Sequence, residues 1–288
     1  MRRKVIWVLE AALAIILAVS LVMVIRTRIE HKKTLADASE AAEIAGLHTG
    51  PASRQPGTTP PASGTPQETA SPAQEALPEA TAPPAEPLPE EAAGLIGLDL
   101  EALRAYNEDV VGWITIPGTA VSYPLVQRTD NQYYLNHNWK KEYSGSGSIF
   151  LSSDASRDLT DFNTIVYGHH MLDETMFGTF KYYFRGPDYW RQHPSVYIVL
   201  DDAVYRYDIF AVEEAGIKGI VYRLDIEEKH LEEEFLQYCK NRSVYDTGLT
   251  PGADDRVLSL STCTGTLSQT SRWVLHGVLA QEYRRTNF

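Results

Sequence analysis

Basic residues are fewer than acidic residues in this sequence, and this bears on whether the protein binds nucleic acid. Lys and Arg number 26 against 38 Asp and Glu, which gives a formal net charge of −12. Binding to nucleic acid depends on Lys and Arg side chains that neutralise phosphates. Neither a basic stripe nor a glycine-rich phosphate loop is present in the sequence. The composition therefore argues against nucleic acid as a partner.

Cysteine is also scarce, because the 288-residue chain has only Cys239 and Cys263. A single disulfide is a poor framework for a domain of this size, so both are predicted to be free thiols. Cys239 falls in a helical stretch and is interpreted as a small buried hydrophobic residue. No Cys, His and Asp residues have the spacing of metal ligands, so neither a metal nor another cofactor is predicted.

Charge is nearly absent from one long segment, Val5–Ile25, in which Glu10 is the single charged residue. The segment supplies about the twenty apolar residues that a membrane-spanning helix needs. The alternative is a cleaved signal peptide, whose apolar core would be shorter and followed by a cleavage site. This segment instead passes directly into Arg26-Thr27-Arg28. We predict a retained single-pass anchor, with residues 1–33 forming a cytoplasmic tip, the anchor and its basic flank.

Residues 51–92 are dominated by Pro, Ala, Thr, Ser, Gly and Glu, and they hold eleven of the sixteen prolines. Such a composition cannot bury enough apolar surface to offset the entropy lost on ordering. The sequence predicts a disordered spacer over residues 34–93, and a disordered binding tail is the alternative. Basic residues flank both ends of the anchor, so charge does not give its orientation. The spacer favours a carboxyl-terminal part that lies outside the membrane.

The remaining residues, 94–288, are predicted to form one mainly β domain. Leu98–Tyr106 has the apolar spacing of a short helix. Short β-type runs and turn residues follow, and two helical inserts are predicted near Met176–Phe184 and Ile226–Cys239. Eight strands with few helices indicate a barrel or a sandwich. The predicted strands are Gly112–Ile116, Val121–Val126, Ser148–Leu151, Thr164–Tyr167, Val196–Leu200, Val204–Ala211, Val257–Thr262 and Trp273–Ala280.

Three residue types at strand ends predict thiolate chemistry. Cys263 ends one β-type run, and only its thiolate form would be nucleophilic. His169 follows Gly168 at the end of another run, where it can serve as general acid and base. Arg272 opens the strand after the cysteine loop and can stabilise an oxyanion. The residues alone do not choose between His169 and His170, and each side chain by itself also fits an ordinary structural role.

Several motifs, in order along the chain, resemble the signature of class B sortases. The resemblance covers residues 95–283. The matching segments are Asp109–Gly118, Asp130–Leu135, Tyr167–Met171, Thr175–Gly178 and Leu260–Cys263 together with Arg272.

The resemblance implies a closed eight-stranded β-barrel with an amino-terminal helix and a helix before the strand that leads to the cysteine. It also implies that His169, Cys263 and Arg272 are catalytic. The substrate groove would be lined by Asn131, Leu135, Tyr167 and Ser261.

The implied activity is that of a membrane-anchored cysteine transpeptidase. Cys263 would cleave the bond after Thr in a carboxyl-terminal sorting signal of a secreted protein, where Gly or Asn follows. Signals of the Asn-Pro-x-Thr type are the class preference. The acceptor would be an amine, such as a peptidoglycan precursor or a pilin lysine. The class also places the catalytic domain outside the membrane of a Gram-positive cell.

Other functions remain open from the sequence. Within the same chemistry, pilin polymerisation is an alternative to the anchoring of surface proteins to the cell wall. If water resolves the thioacyl intermediate, the protein is a surface cysteine endopeptidase. A scaffold domain on a stalk, without catalysis, is the alternative from another class.

Overall fold

The computed structural model describes residues 2–47, 89–223, 226, 228–263 and 270–285, and of Cys263 it describes the backbone alone. Most of the predicted spacer lies outside the described residues. Within them, the dominant feature is a closed barrel whose strands are ordered β1-β2-β3-β4-β7-β8-β6-β5. The barrel is mixed, because β2 pairs with β3, and β4 with β7, in parallel, while the other pairs are antiparallel.

All eight predicted strands are present. They are β1 (Val110–Thr115), β2 (Ser122–Val126), β3 (Ile149–Leu151), β4 (Asn163–Gly168), β5 (Ser195–Val199), β6 (Ala203–Gly216), β7 (Val257–Cys263) and β8 (Ser271–Arg284). The closed barrel, rather than the sandwich, is therefore the architecture of this domain.

Alternate residues of the strands face two different cores. Ile114 and Ile198 belong to the core inside the barrel. Their chain neighbours Trp113 and Val199 belong to a second core, which lies between the outer wall of the barrel and the amino-terminal helices. A strand with one face on each core is buried on both sides, and this explains why its sequence is apolar at nearly every position.

Short helices connect the strands and cover the barrel. They are α2 (Leu100–Arg104), α3 (Phe180–Tyr183), α4 (Pro187–Gln192) and α5 (Lys229–Arg242), with 3-10 turns at Glu90–Leu95, Tyr133–Leu135 and Ile220–Tyr222. The helix α5 is followed directly by β7. The second predicted insert is a helix that starts a few residues later than expected. Of the first predicted insert only Phe180–Tyr183 is helical, as α3, and α4 follows beyond its predicted end.

The amino-terminal helix α1 (Arg2–Ile44) is longer than the predicted anchor. It contains one segment that is long and apolar enough to cross a membrane. The spacer was predicted to begin at residue 34, but residues 34–44 continue this helix. The physical reason is that this stretch is rich in alanine, the best helix former, and that its small side chains dock against the barrel.

Contacts along the last third of α1 fix it to the barrel. The hydroxyls of Thr34 and Ser146 lie 2.7 Å apart. The Asn138 amide donates to the Asp37 carboxylate at 2.9 Å, and the Trp139 indole donates to the Asp37 carbonyl at 3.2 Å. Further along the helix, Ala41, Ala42 and Ala45 are buried in the second core.

Candidate active site

The strand register brings the predicted catalytic residues to one edge of the barrel. In the parallel pair β4–β7, Gly168 lies beside Thr262. His169 follows Gly168 just beyond the end of β4, and Cys263 follows Thr262 as the last residue of β7, so the two residues lie at the same level of the barrel. In the antiparallel pair β7–β8, Cys263 lies opposite Arg272. His169, which is far from the other two in sequence, thus lies near Cys263 and Arg272 at the backbone level.

A cavity of about 160 Å³ opens at this edge. Within the described part of the chain it is lined by Asn131, Leu135, Phe150, Tyr167, Gly168, His169, Ser261, Thr262 and Arg272. Every predicted groove residue therefore lines the same cavity as two of the three predicted catalytic side chains. The side chain of the third, Cys263, lies outside the described residues, as do residues 264–269.

The half-buried imidazole of His169 is oriented by a backbone group. Its Nε2 lies 2.7 Å from the carbonyl oxygen of Leu135. A carbonyl can only accept, so Nε2 carries a proton and donates it in this arrangement. Leu135 thus contributes its carbonyl as well as its side chain, a role that the sequence pattern did not indicate. The contact sets the ring at the mouth of the cavity.

His170 occupies a different environment from its neighbour. Its ring packs edge-on against Trp273, with the centroids 5.0 Å apart. Both ring nitrogens are buried and have no hydrogen-bond partner among the described residues. Burial, with a smaller contribution from the charge of Lys181, lowers the pKa of His170 below its usual value. His170 is therefore a packing residue beside the site.

A glycine is required immediately before His169. A Cβ atom added at Gly168 would lie 2.7 Å from a ring carbon of Phe177. Phe177 is fully buried in the barrel core and cannot move aside without disturbing it. Because Gly168 has no Cβ atom, the backbone can pass close to Phe177 of the core where the loop begins at His169.

Tyr222 is a residue of this region that sequence reasoning missed. Its hydroxyl lies 2.9 Å from the Ser261 hydroxyl, and Ser261 is itself almost completely buried. Burial raises the pKa of Tyr222 to about 12, and the nearby charge of Arg272 works in the opposite direction. An aromatic residue in a 3-10 turn far from the motifs gives no sequence signal for such a contact.

Two of the predicted groove residues are already engaged with the protein. The side-chain oxygen of Asn131 accepts from the Ser153 backbone at 2.8 Å. Tyr167 packs against Phe150 with the ring centroids 5.4 Å apart, and burial raises its pKa. These contacts shape the cavity wall, so both side chains are held in place before any ligand arrives.

A second polar cluster, which does not line the cavity, is the one grouping of metal-ligand types found among the described residues. Glu213, Cys239 and His276 are fully buried with their ligand atoms within 4.8 Å of one another. The Arg242 guanidinium donates to Glu213 at 2.8 Å, and Ser259 lies 2.9 Å from the other imidazole nitrogen. Glu213 and His276 are therefore members of a hydrogen-bonded network and have protein partners at their ligand atoms.

Within that network, Cys239 confirms one prediction. It is a free, completely buried thiol whose pKa is raised well above its usual value, chiefly by burial. A buried thiol with a raised pKa is a weak nucleophile. Cys239 is a structural residue.

Comparison with known proteins agrees with this geometry. Residues 114–280 match the family model of the sortase domain. The chain is a sortase. Sortase B of Listeria monocytogenes is 36% identical over 182 residues, which are 63% of this chain and 74% of that protein. Sortase B of Staphylococcus aureus is 31% identical over 175 residues, 61% of this chain and 71% of that protein.

Solved structures of sortase B share the fold. A Staphylococcus aureus sortase B–substrate complex superposes with a TM-score of 0.59 at 31% identity, covering 63% of this chain and 84% of that chain. Sortase B from Listeria monocytogenes gives a TM-score of 0.56 at 36% identity, covering 63% of this chain and all of the other. The predicted class B sortase family and the predicted barrel are thus confirmed, and family membership makes this protein a transpeptidase.

Proposed function

We propose that this sortase cleaves a carboxyl-terminal sorting signal after Thr and transfers the acyl group to an amine. The Cys263 thiolate attacks the Thr carbonyl and forms a tetrahedral intermediate. His169 donates a proton to the departing amine of Gly or Asn, and a thioester to Cys263 remains. An incoming amine, deprotonated by His169, attacks the thioester and releases Cys263 with a new amide bond.

Arg272 stabilises the charge that develops on the carbonyl oxygen. A guanidinium retains its positive charge under all physiological conditions, so it is a dependable donor to an oxyanion. Loss of one oxyanion donor typically costs about 3 kcal/mol in the transition state. The observation that carries the proposal is the strand register. It sets Cys263 opposite Arg272, and it pairs Gly168 with Thr262, the residues immediately before His169 and Cys263.

The substrates follow from the class. We propose signals of the Asn-Pro-x-Thr type on secreted proteins, bound along Asn131, Leu135, Tyr167 and Ser261. The acceptor is an amine of a cell-wall precursor, and the product is a surface protein anchored to the wall. A solved structure of a relative, Staphylococcus aureus sortase B in complex with substrate, supports a groove of this kind.

We further propose that the enzyme is a single-pass membrane protein with its catalytic domain, residues 94–288, outside the cell. The helix that could span a membrane supports the anchoring. The class to which the chain belongs supports the orientation.

The test is incubation of the full chain in detergent with fluorogenic peptides of the Asn-Pro-x-Thr type and a panel of amines. Mass spectrometry should find the peptide joined through Thr to the amine. Cys263→Ala should abolish the product, whereas Cys239→Ala, a matched change at the buried thiol, should retain it. Hydrolysed peptide as the main product at saturating amine would replace the transpeptidase proposal with an endopeptidase.

A further inference from the structure

The apolar segment of α1 and its barrel-docking segment belong to one continuous helix. A helix rises 1.5 Å per residue, so Glu30 lies about 8 Å beyond Ile25 along the axis and Lys33 about 12 Å. The headgroup layer on each side of a bilayer is roughly 5–8 Å thick. If the apolar segment spans the bilayer, as proposed above, the first contacts between α1 and the barrel therefore lie at the outer edge of the headgroup layer or within a few ångströms of it, a gap that a large side chain can bridge.

Two loops of the barrel make these first contacts. The Lys33 ammonium donates to the carbonyl oxygen of Tyr143 at 3.0 Å. The His31 Nδ1 lies 2.9 Å from a carboxylate oxygen of Asp173. The later contacts, from Thr34 to Ala45, follow the helix away from the membrane and fix the barrel against it. The loops at Tyr143 and Asp173 are thus the parts that α1 holds nearest the membrane.

The same two loops expose large apolar side chains. Tyr143 is 71% exposed and Leu172, the neighbour of Asp173, is 74% exposed. Outside α1, these are the two most exposed large apolar residues in the described part of the chain. Tyrosine is enriched at membrane–water interfaces, where its ring is buried and its hydroxyl stays in water. At the height that α1 gives these two loops, the lipid interface can contact their exposed apolar side chains.

We propose that Tyr143 and Leu172 form a membrane-contact surface that inserts into the bilayer spanned by α1. The occupant is the lipid interface rather than another protein, because the contact is continuous with the helix that enters that bilayer. Arg26, Arg28 and Lys32 on the intervening turns add attraction to anionic headgroups. The surface makes the barrel a second point of membrane attachment, and it rests on the membrane anchoring proposed above.

This attachment sets the height of the active site. His169 is four residues from Asp173, so their Cα atoms are separated by at most about 14 Å of extended chain. The cavity at His169 therefore opens near the lipid surface. Substrates and acceptors that are themselves held in the membrane would reach it without leaving the bilayer.

The test places a tryptophan in the proposed surface. Full-length Tyr143→Trp and Leu172→Trp variants are reconstituted in phosphatidylcholine–phosphatidylglycerol vesicles with plain or brominated acyl chains. Bromine quenches tryptophan only at short range, so the emission that each variant adds to the parent should fall in brominated vesicles. Val244→Trp is the matched control, since Val244 is 50% exposed and follows α5, which covers β6, whereas α1 contacts β2. Its added emission should not fall.

Equal quenching at positions 143, 172 and 244 would overturn the proposal. Trp7 reports separately on the anchoring, because it lies within the apolar segment. Its emission is the difference between the parent and Trp7→Phe. If α1 does not enter the bilayer, bromine will not quench this emission either. As a second measurement, a short glycine–serine insertion between Arg28 and Ile29 should lift the barrel. Quenching at 143 and 172 should then fall to the level at 244, and quenching that persists would show that α1 does not set the height.

Discussion

Adjacent histidines have separate roles at the residue scale. The His169 ring lies at the cavity and donates to the Leu135 carbonyl, whereas the His170 ring packs on Trp273. A general acid typically contributes a factor of about 10² to 10⁴ in rate. We expect His169→Ala to lower kcat/KM for peptide ligation by a factor in that range, and His170→Ala to retain much more activity.

The measurement is a ligation rate for each variant at matched folded fraction, checked by near-UV circular dichroism. The fold check is needed because His170 is a packing residue, so its loss costs stability. If both variants are folded and lose kcat/KM equally, the assignment of His169 as the general acid is wrong.

The lowered pKa of His170 predicts how stability depends on pH. The folded protein binds this proton less readily than the unfolded chain, whose histidine pKa is about 6.5. The contribution of neutral His170 to the free energy of unfolding is therefore complete above about pH 6.5. It is lost as the pH falls toward the lower pKa that His170 has in the folded protein. Between pH 7 and pH 5 the Tm of His170→Gln should fall less than that of the parent. A parallel fall in both proteins, measured by calorimetry, would contradict the burial argument.

The sequence names candidate reactive residues, but it does not name the residues that support them. Cys263, His169 and Arg272 stand in motifs that resemble a known family, so they could be named before any coordinates. The Leu135 carbonyl and Tyr222 could not, because a backbone acceptor leaves no trace in a sequence and Tyr222 reaches Ser261 only through the fold. Supporting contacts of this kind depend on tertiary geometry.

At the scale of elements, strand cores were predictable and strand ends were not. β6 and β8 are each 14 residues long and extend well beyond their predicted ends. The pattern is interrupted in β6 by Glu213, a charged residue at a fully buried position. Its partners, Arg242 and His276, come from α5 and β8, so the sequence around Glu213 did not show that its charge is satisfied.

This network makes a prediction about stability. The Glu213 carboxylate is fully buried, and Arg242 is the cation that pairs with it. Removing the partner of a buried charge costs several kcal/mol, against about 1 kcal/mol or less for a surface pair. Because Arg242 is partly exposed, we expect Arg242→Met to cost about 2 kcal/mol, measured by urea unfolding.

Arg191→Met is the matched control. Arg191 also pairs with a carboxylate, Asp188, at 2.7 Å, but both side chains are mostly exposed. Its free energy of unfolding should stay close to that of the parent. Similar losses in the two variants would mean that burial of Glu213 does not govern the effect.

The extension of α1 shows a limit of composition. Residues 34–44 mix alanine with Asp37, Glu40 and other polar side chains, a composition that also fits a spacer. Their helical and docked state depends on Asn138 and Lys140 of the barrel, which bond to Asp37 and Glu40. A partner that lies a hundred residues away cannot be inferred from local sequence.

At the scale of the whole molecule, the docking of α1 on the barrel means that the proline-rich segment does not set the distance between the apolar segment and the barrel. The described residues on its two sides meet, since the Asp99 amide donates to the Ala45 carbonyl at 2.9 Å and a Cβ on Gly94 would lie 3.6 Å from Leu47. The connection between anchor and barrel therefore passes through α1. The proline-rich residues do not set the distance between them.

We therefore expect that replacing residues 51–86 with a short glycine–serine linker leaves both the ligation rate and Tm unchanged. The deletion must stop before the 3-10 turn Glu90–Leu95, where Ala92 is fully buried. A control deletion that continues through residue 95 should lower Tm. A large fall in the ligation rate for the shorter deletion alone would make the segment part of the site.

The pairing of β4 with β7 also dictates when the enzyme can first act. Gly168 and Thr262 are neighbours in the barrel but far apart along the chain, and Arg272 lies on the last strand. Pairings of such long range form slowly and only once both partners are available. During synthesis, nearly the whole polypeptide must therefore be made before His169, Cys263 and Arg272 can come together. With the mechanism proposed above, a nascent chain is inert toward peptides, and it acquires reactivity only as its final strand closes the barrel.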